Sequence, residues 1–142
     1  MDEATKRTAR NMITEHPNSV LITIDEAGQP VDRVMWTAKL GEDMTVYYAT
    51  GLNSAKVRRI AANPKVLVMW IGSAKYVSLR GTAEVTTDRA ILDELWRDSF
   101  SPYFRGGRTD PNYAVIKITP EDLVCEENCD APIDIVDLYW NS

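Results

Sequence analysis

The apolar positions along this chain change their period several times, and each change marks an element. Residues 3–15 set Ala4, Ala9, Met12 and Ile13 on one helical face, and Pro17 ends the segment. Residues 19–25 (SVLITID) are β-branched and aliphatic. EAGQP supplies turn chemistry, and residues 31–38 (VDRVMWTA) follow as the second arm of a hairpin. In that arm Arg33, Met35 and Thr37 share one face, while Val34, Trp36 and Ala38 share the other. A third strand spans 44–50. Asn53 or Ser54 then caps a helix with Val57, Ile60 and Ala61 as its apolar stripe, stopped by Asn63-Pro64. Residues 65–72 (KVLVMWIG) are nearly all apolar, which predicts a strand buried on both faces. Residues 75–85 form a long strand with a bulge at Gly81. Thr87 or Asp88 caps a helix to Asp98 that buries Ile91, Leu92, Leu95 and Trp96. Residues 99–112 read as loop and 113–120 as a last strand.

Six or more strands with short turns and three helices predict a closed antiparallel barrel, mainly β, with the helices outside. There is no βαβ alternation and no G-x-G-x-x-G, which argues against a Rossmann dinucleotide site. No linker or internal repeat interrupts the pattern, so residues 1–142 read as one domain.

Charge changes the picture at one end. The net charge is −5, but residues 118–142 carry seven acidic residues and no basic one, leaving the rest of the chain nearly neutral. No broad basic face is available for long nucleic acid. The longest apolar run is far short of the roughly 20 residues of a membrane span, and the start lacks a secretory apolar core. No membrane and a cytoplasmic location are the expectation. Cys125 and Cys129 are spaced within zinc-site range, but a structural site needs four ligands, and the single histidine is His16. Two reduced thiols and no metal are expected.

The segment 50–64 carries the candidate chemistry. A helix N-terminus has unpaired N–H groups and partial positive charge. Thr50, Ser54 and Lys56 surround such a terminus, and Arg33 on a neighbouring strand adds a fork of donors. Together they suit a phosphate monoester. Spacing alone also allows an ordinary capped helix with Lys56, Arg58 and Arg59 solvated.

Four pieces in order carry a resemblance: G-Q-P-x-x-R-V-M (28–35), Y-Y-A-T-G-L-N-S-A-K-V-R-R-I-A-A-N-P-K-V (47–66), Y-V-S-L-R-G-T-A-E-V (76–85) running into D-x-x-x-L-x-x-L-W (88–96), and Y-F-x-x-G-x-x-D-P-x-Y (103–113). Over about residues 19–120 they resemble the pyridoxamine 5′-phosphate oxidase-like, FMN-binding split-barrel family, and the last resembles its general stress protein branch. The resemblance implies an antiparallel split β-barrel and a homodimer with FMN in the cleft between subunits. Arg33 and Lys56 would hold the phosphate, assisted by Thr50 and Ser54. Val34, Met35, Trp36 and Thr37 would line the ribityl chain and ring. Tyr76 stands where the oxidases place a ring-proximal Gln.

Two departures limit the analogy. The oxidases' second basic residue on the first binding strand is Ala38 here, and no histidine follows position 16 to serve a late Arg-x-His element. Authentic pyridoxamine phosphate oxidase activity is therefore not expected. The expected function is a flavin-dependent oxidoreductase of a small substrate, with NAD(P)H as a possible reductant and no identifiable catalytic residue. The alternatives are a non-catalytic flavin-binding stress protein, or a split barrel that takes a deazaflavin or haem. The loop 99–112 is expected to control access to the ring, with Tyr103 and Phe104 either as a lid or as a plug of the barrel end.

Overall fold

The computed structural model describes residues 2–127, so Cys129 and most of the acidic tail lie outside the described residues. Helix α1 (Glu3–Glu15) starts on Asp2, whose carboxylate accepts the Thr5 amide at 2.7 Å, and buries Ala9, Met12 and Ile13. Ala4 is exposed, because it lies in the first turn before the helix meets the sheet. Seven strands then form one antiparallel sheet: β1 (Asn18–Ile24), β2 (Pro30–Trp36), β3 (Lys39–Leu40), β4 (Val46–Gly51), β5 (Lys65–Gly72), β6 (Lys75–Thr86) and β7 (Tyr113–Glu127). Helix α2 (Ala55–Ala62) separates β4 from β5, and helix α3 (Arg89–Leu95) follows β6. No helix among the described residues is long and apolar enough to cross a membrane.

The strand order is β2-β1-β5-β6-β7-β4-β3, so β2 and β3 are the two edges and do not pair with each other. The barrel is split rather than closed. Its edges meet only where the chain crosses between them: Thr37 donates its amide to Pro17 beside β1 at 2.9 Å, and Ala38 donates to Tyr47 of β4 at 3.0 Å. Tyr48, Val68, Trp70, Leu79, Ile116 and Ile118 fill the interior together with the α1 side chains.

Gly81 marks a bulge as its sequence suggests. The register slips there, from Arg80 opposite Asp122 to Gly81 opposite Pro120, which leaves Glu121 as the extra residue. A Cβ at Gly81 would run into the Thr119 carbonyl oxygen. The bulge also admits Pro120, which has no N–H to offer a ladder, and β7 continues to Glu127 instead of ending at residue 120.

Strand β5 is buried on one face only. Val66, Val68 and Trp70 point inward, while Ile71 is 61% exposed, because none of the described residues covers the outer face. The rows across that face are Val34–Val20–Met69–Ser78 and Asp32–Ile22–Leu67–Arg80, since directly opposed residues of an antiparallel pair share a face. Helix α2 buries Ile60 alone of its expected stripe, with Ala61 exposed. Helix α3 stops at Leu95, three residues early, as Trp96 takes an extended conformation. Residues 99–112 contain a 3-10 turn at Gly107–Thr109 and the end of another at Asp98–Phe100.

Candidate functional site

The site begins where β4 turns into α2. Thr50 is buried, and the Ser54 amide closes the turn on the Gly51 carbonyl at 3.1 Å. Asn112 fixes this turn from outside. Its carbonyl oxygen accepts the Leu52 amide at 2.8 Å, and its side-chain oxygen accepts the Asn53 amide at 3.1 Å. A Cβ on Gly51 would lie 2.9 Å from the Asn112 amide nitrogen, so a larger residue there would push the Asn112 side chain aside. Ser54 is the N-cap residue, yet its hydroxyl caps nothing. It lies 3.4 Å from the Thr50 hydroxyl, leaving two adjacent hydroxyls at the start of an eight-residue helix.

Three cations gather beside them. Arg33 comes from edge strand β2, and Lys56 and Arg59 come from one face of α2. Arg59 is steadied by donating Nε to the Thr23 hydroxyl at 2.8 Å. Burial pushes the Lys56 ammonium below its ordinary range, and the neighbouring charges of Arg33 and Arg59 push it the same way. None of the three forms an ion pair with a carboxylate among the described residues. Arg58 faces elsewhere and donates to the Asn53 carbonyl at 2.8 Å. The pocket therefore holds crowded positive charge without a built-in counter-ion.

A cleft of about 350 Å³ joins Thr50, Gly51 and Lys56 to an aromatic wall of Trp36, Phe100 and Tyr103, with Val34 and Met35 along one side. The wall is assembled from distant segments. Phe100 meets Trp36 edge-on at 6.3 Å and Trp96 edge-on at 5.8 Å. Phe104, only 6% exposed, packs against Tyr113 at 5.1 Å and Trp96 at 6.3 Å. Tyr103 next to it is 78% exposed. The two rings thus do different things: Phe104 anchors the loop, and Tyr103 stands at the cleft rim. The loop is also tied by Asp110, which accepts the Gly106 amide at 2.9 Å and the Asn112 amide at 2.8 Å. Those two bonds hold its carboxyl below the usual range. The Arg97 guanidinium lies 5.0 Å from the Trp36 ring centre.

Of the residues singled out from the sequence, Arg33, Val34, Met35, Trp36, Thr50, Ser54 and Lys56 come together here. Thr37 does not offer its side chain. Its hydroxyl is buried, donates to the Pro17 carbonyl at 2.7 Å and accepts the Trp70 indole N–H at 3.0 Å. A parallel contact holds Met35: its carbonyl accepts the Ser19 hydroxyl at 3.1 Å, and Ser19 in turn meets the Tyr48 hydroxyl at 2.5 Å. Burial raises the Tyr48 phenol well above its usual range, so it stays protonated. These buried contacts fix the backbone of the cleft-lining strand. Tyr76 lies opposite Ile71 on the outer sheet face, away from the cleft of its own chain. Asn112, Arg59, Arg97 and Phe100 were not singled out. Only Arg59 had a local signal, three residues after Lys56 on the same helix face.

The pyridoxamine 5′-phosphate oxidase-like family model matches residues 4–125. The chain belongs to that family. General stress protein 26 of Bacillus subtilis is 27% identical over 124 residues, covering 83% of this chain and 85% of its own. The crystal structure of general stress protein 26 from Bacillus anthracis is 28% identical, with a TM-score of 0.75 over 84% of this chain and 92% of that one. A general stress FMN/FAD-binding protein from Xanthomonas citri shares the fold at 22% identity, with a TM-score of 0.69 over 87% of each chain. The split barrel is thus the fold of this family's general stress protein members.

Proposed function

We propose that this protein binds FMN and serves as a flavin-dependent oxidoreductase toward a small substrate. The observation that carries the reading is the cation-rich spot at the start of α2. It has two hydroxyls, free helix N–H groups and three cations with no carboxylate partner among the described residues. A phosphate monoester fits that donor set, since its charge offsets both the burial and the repulsion from Arg33 and Arg59 that lower Lys56. A deazaflavin with a longer phosphorylated tail is the nearer competitor. The Xanthomonas relative, described as FMN/FAD-binding, supports a flavin.

When bound, the flavin itself supplies the two-electron chemistry. The chain's own residues bind and orient it. The Arg33–Lys56–Arg59 group takes the phosphate, the pinned backbone of residues 34–37 offers a fixed wall, and Trp36, Phe100 and Tyr103 exclude water from the ring's surroundings. A second copy of the chain completes the cleft. The apolar face with Val34 and Ile71, which the described residues leave exposed, supports that part, and Tyr76 lies on the same face. A cytoplasmic setting suits both parts.

One observation favours a second reading. Among the described residues, no carboxylate, His or Cys lines the cleft, so none of them there is an evident carboxylate, imidazole or thiol general acid or base. A flavin-holding protein of the stress response, without turnover, needs none. Titration of apoprotein with FMN, followed by quenching of flavin fluorescence, tests binding. Saturable quenching is expected, and none would overturn the proposal. Anaerobic NAD(P)H should then bleach the bound flavin. A yellow protein that stays oxidised would favour the second reading.

A further inference from the structure

The two peptide groups flanking Trp36 are held from inside the barrel by buried polar side chains. Ser19, Thr37, Tyr48 and Trp70 are all buried, and no buried side-chain nitrogen or oxygen among the described residues lacks a partner. The number of protons on each group fixes the direction of its hydrogen bonds. Ser19 has one hydroxyl proton and donates it to the Met35 carbonyl at 3.1 Å, so the Tyr48 hydroxyl, 2.5 Å away, is the donor to Ser19. Thr37 gives its one proton to the Pro17 carbonyl at 2.7 Å and accepts the Trp70 indole N–H at 3.0 Å. The Pro17 carbonyl also takes the Thr37 amide at 2.9 Å. Two one-way relays thus run outward from the core. The first, Tyr48 to Ser19, ends on the carbonyl of the peptide before Trp36. The second, Trp70 to Thr37, closes on the carbonyl that also holds the amide of the peptide after it. A peptide is planar, so holding one of its polar groups orients the other.

We propose that Ser19, Tyr48, Thr37 and Trp70 are positioning residues for Trp36, setting this part of the cleft wall before any ligand arrives. Trp36 is 43% exposed, so packing holds its ring only in part and its place depends on the backbone beneath it. A wall ordered in advance spares a ligand the cost of ordering it on binding. That the ligand is a flavin rests on the proposed function, whereas the hold on Trp36 does not.

Each relay has a variant that removes it with little change of shape. Ser19→Ala combined with Tyr48→Phe deletes both partners of the first, which leaves neither one orphaned. Thr37→Val deletes the second hydroxyl, and Thr37→Ser keeps it. NMR order parameters of the backbone amides of residues 36 and 37 in the ligand-free full chain read the hold directly. They should be about 0.85 in wild type and in Thr37→Ser, the value of rigid backbone, and lower in the other two variants. FMN affinity, titrated well below the melting temperature, should fall about three- to tenfold when a relay is lost, the size of one hydrogen bond. A purely structural role predicts a lower melting temperature with order parameters and FMN affinity unmoved, and that result would overturn the proposal. So would Thr37→Ser behaving like Thr37→Val. Wild-type protein that takes up no FMN would overturn the flavin reading alone, and the order parameters would still decide the hold on Trp36.

Discussion

At the scale of single residues, the phosphate spot separates two neighbouring cations of one helix. Lys56 is half-buried among Arg33 and Arg59, whereas Arg58 is exposed and bonded to the Asn53 carbonyl. Lys56→Ala is therefore expected to weaken FMN binding by ten- to a hundredfold, corresponding to roughly 1.5–3 kcal/mol for a hydrogen bond to a charged group. Arg58→Ala should change it little. Flavin-fluorescence titrations of the two variants make the comparison, and equal losses would remove Lys56 from the site. The helix start and the small residues around it were legible in the sequence because local chemistry sets them: strand, Gly51, cap, helix. Asn112 was not, because it reaches the turn from nearly sixty positions away and only the β4–β7 pairing brings it there.

At the scale of elements, the segment after α3 is where expectation and structure differ most usefully. Its glycines and prolines read as loop. What the composition does not reveal is that Phe104 is buried beside Tyr113 while Tyr103 is left out. Phe104→Ala is expected to cost about 3–5 kcal/mol, as aromatic deletions in a packed cluster do, and to lower the melting temperature visibly. Tyr103→Ala should leave the melting temperature unchanged and alter the rate of flavin reduction or release. Thermal melts beside stopped-flow reduction distinguish the two, and a destabilised Tyr103→Ala with unaltered flavin kinetics would end its role at the rim. The same loop should respond to acid. The Asp110 carboxyl is held below its ordinary value of 3.8 by the two amides it accepts. Its contribution is fully present above that value and is lost as pH falls through the lower, folded one. The amide NMR signals of Gly106 and Asn112 should titrate together with a midpoint below 3.8, and Asp110→Asn should abolish that step.

At the scale of the whole molecule, the outer sheet face is the surface that the described residues leave exposed. Val34 at 74% exposure and Ile71 at 61% belong to one apolar surface with Val20, Met69, Ile22 and Leu67. A groove of about 580 Å³ runs along it beside Ile22, Leu67 and Gly81. Exposed apolar area of this kind marks an interaction surface. We expect a homodimer burying more than about 1,600 Å² in total. Light scattering at micromolar concentration should give twice the 16.0 kDa chain mass. Ile71→Asp places a charge on the face but not in the cleft, and should shift the protein toward monomer while a folded spectrum is retained. A wild-type monomer would overturn the expectation.

The sequence by itself determined what local periodicity and turn chemistry can specify. Six of the seven strands, α1, the Gly81 bulge and the hydroxyl–lysine helix start follow from neighbouring residues, whereas the two-residue β3 and the stretch of β7 beyond residue 120 do not. The tertiary structure decided the rest. β-Branched runs reveal a strand but not its neighbours, so the split between β2 and β3 had to come from long-range pairing. Alternation reveals a face but not what covers it, so β5 reads as doubly buried while the described residues cover one side. Charge along a helix reveals cations but not their company. Arg33 and Arg59 become one site with Lys56, and Arg97 settles on Trp36, only because the sheet curls these segments together.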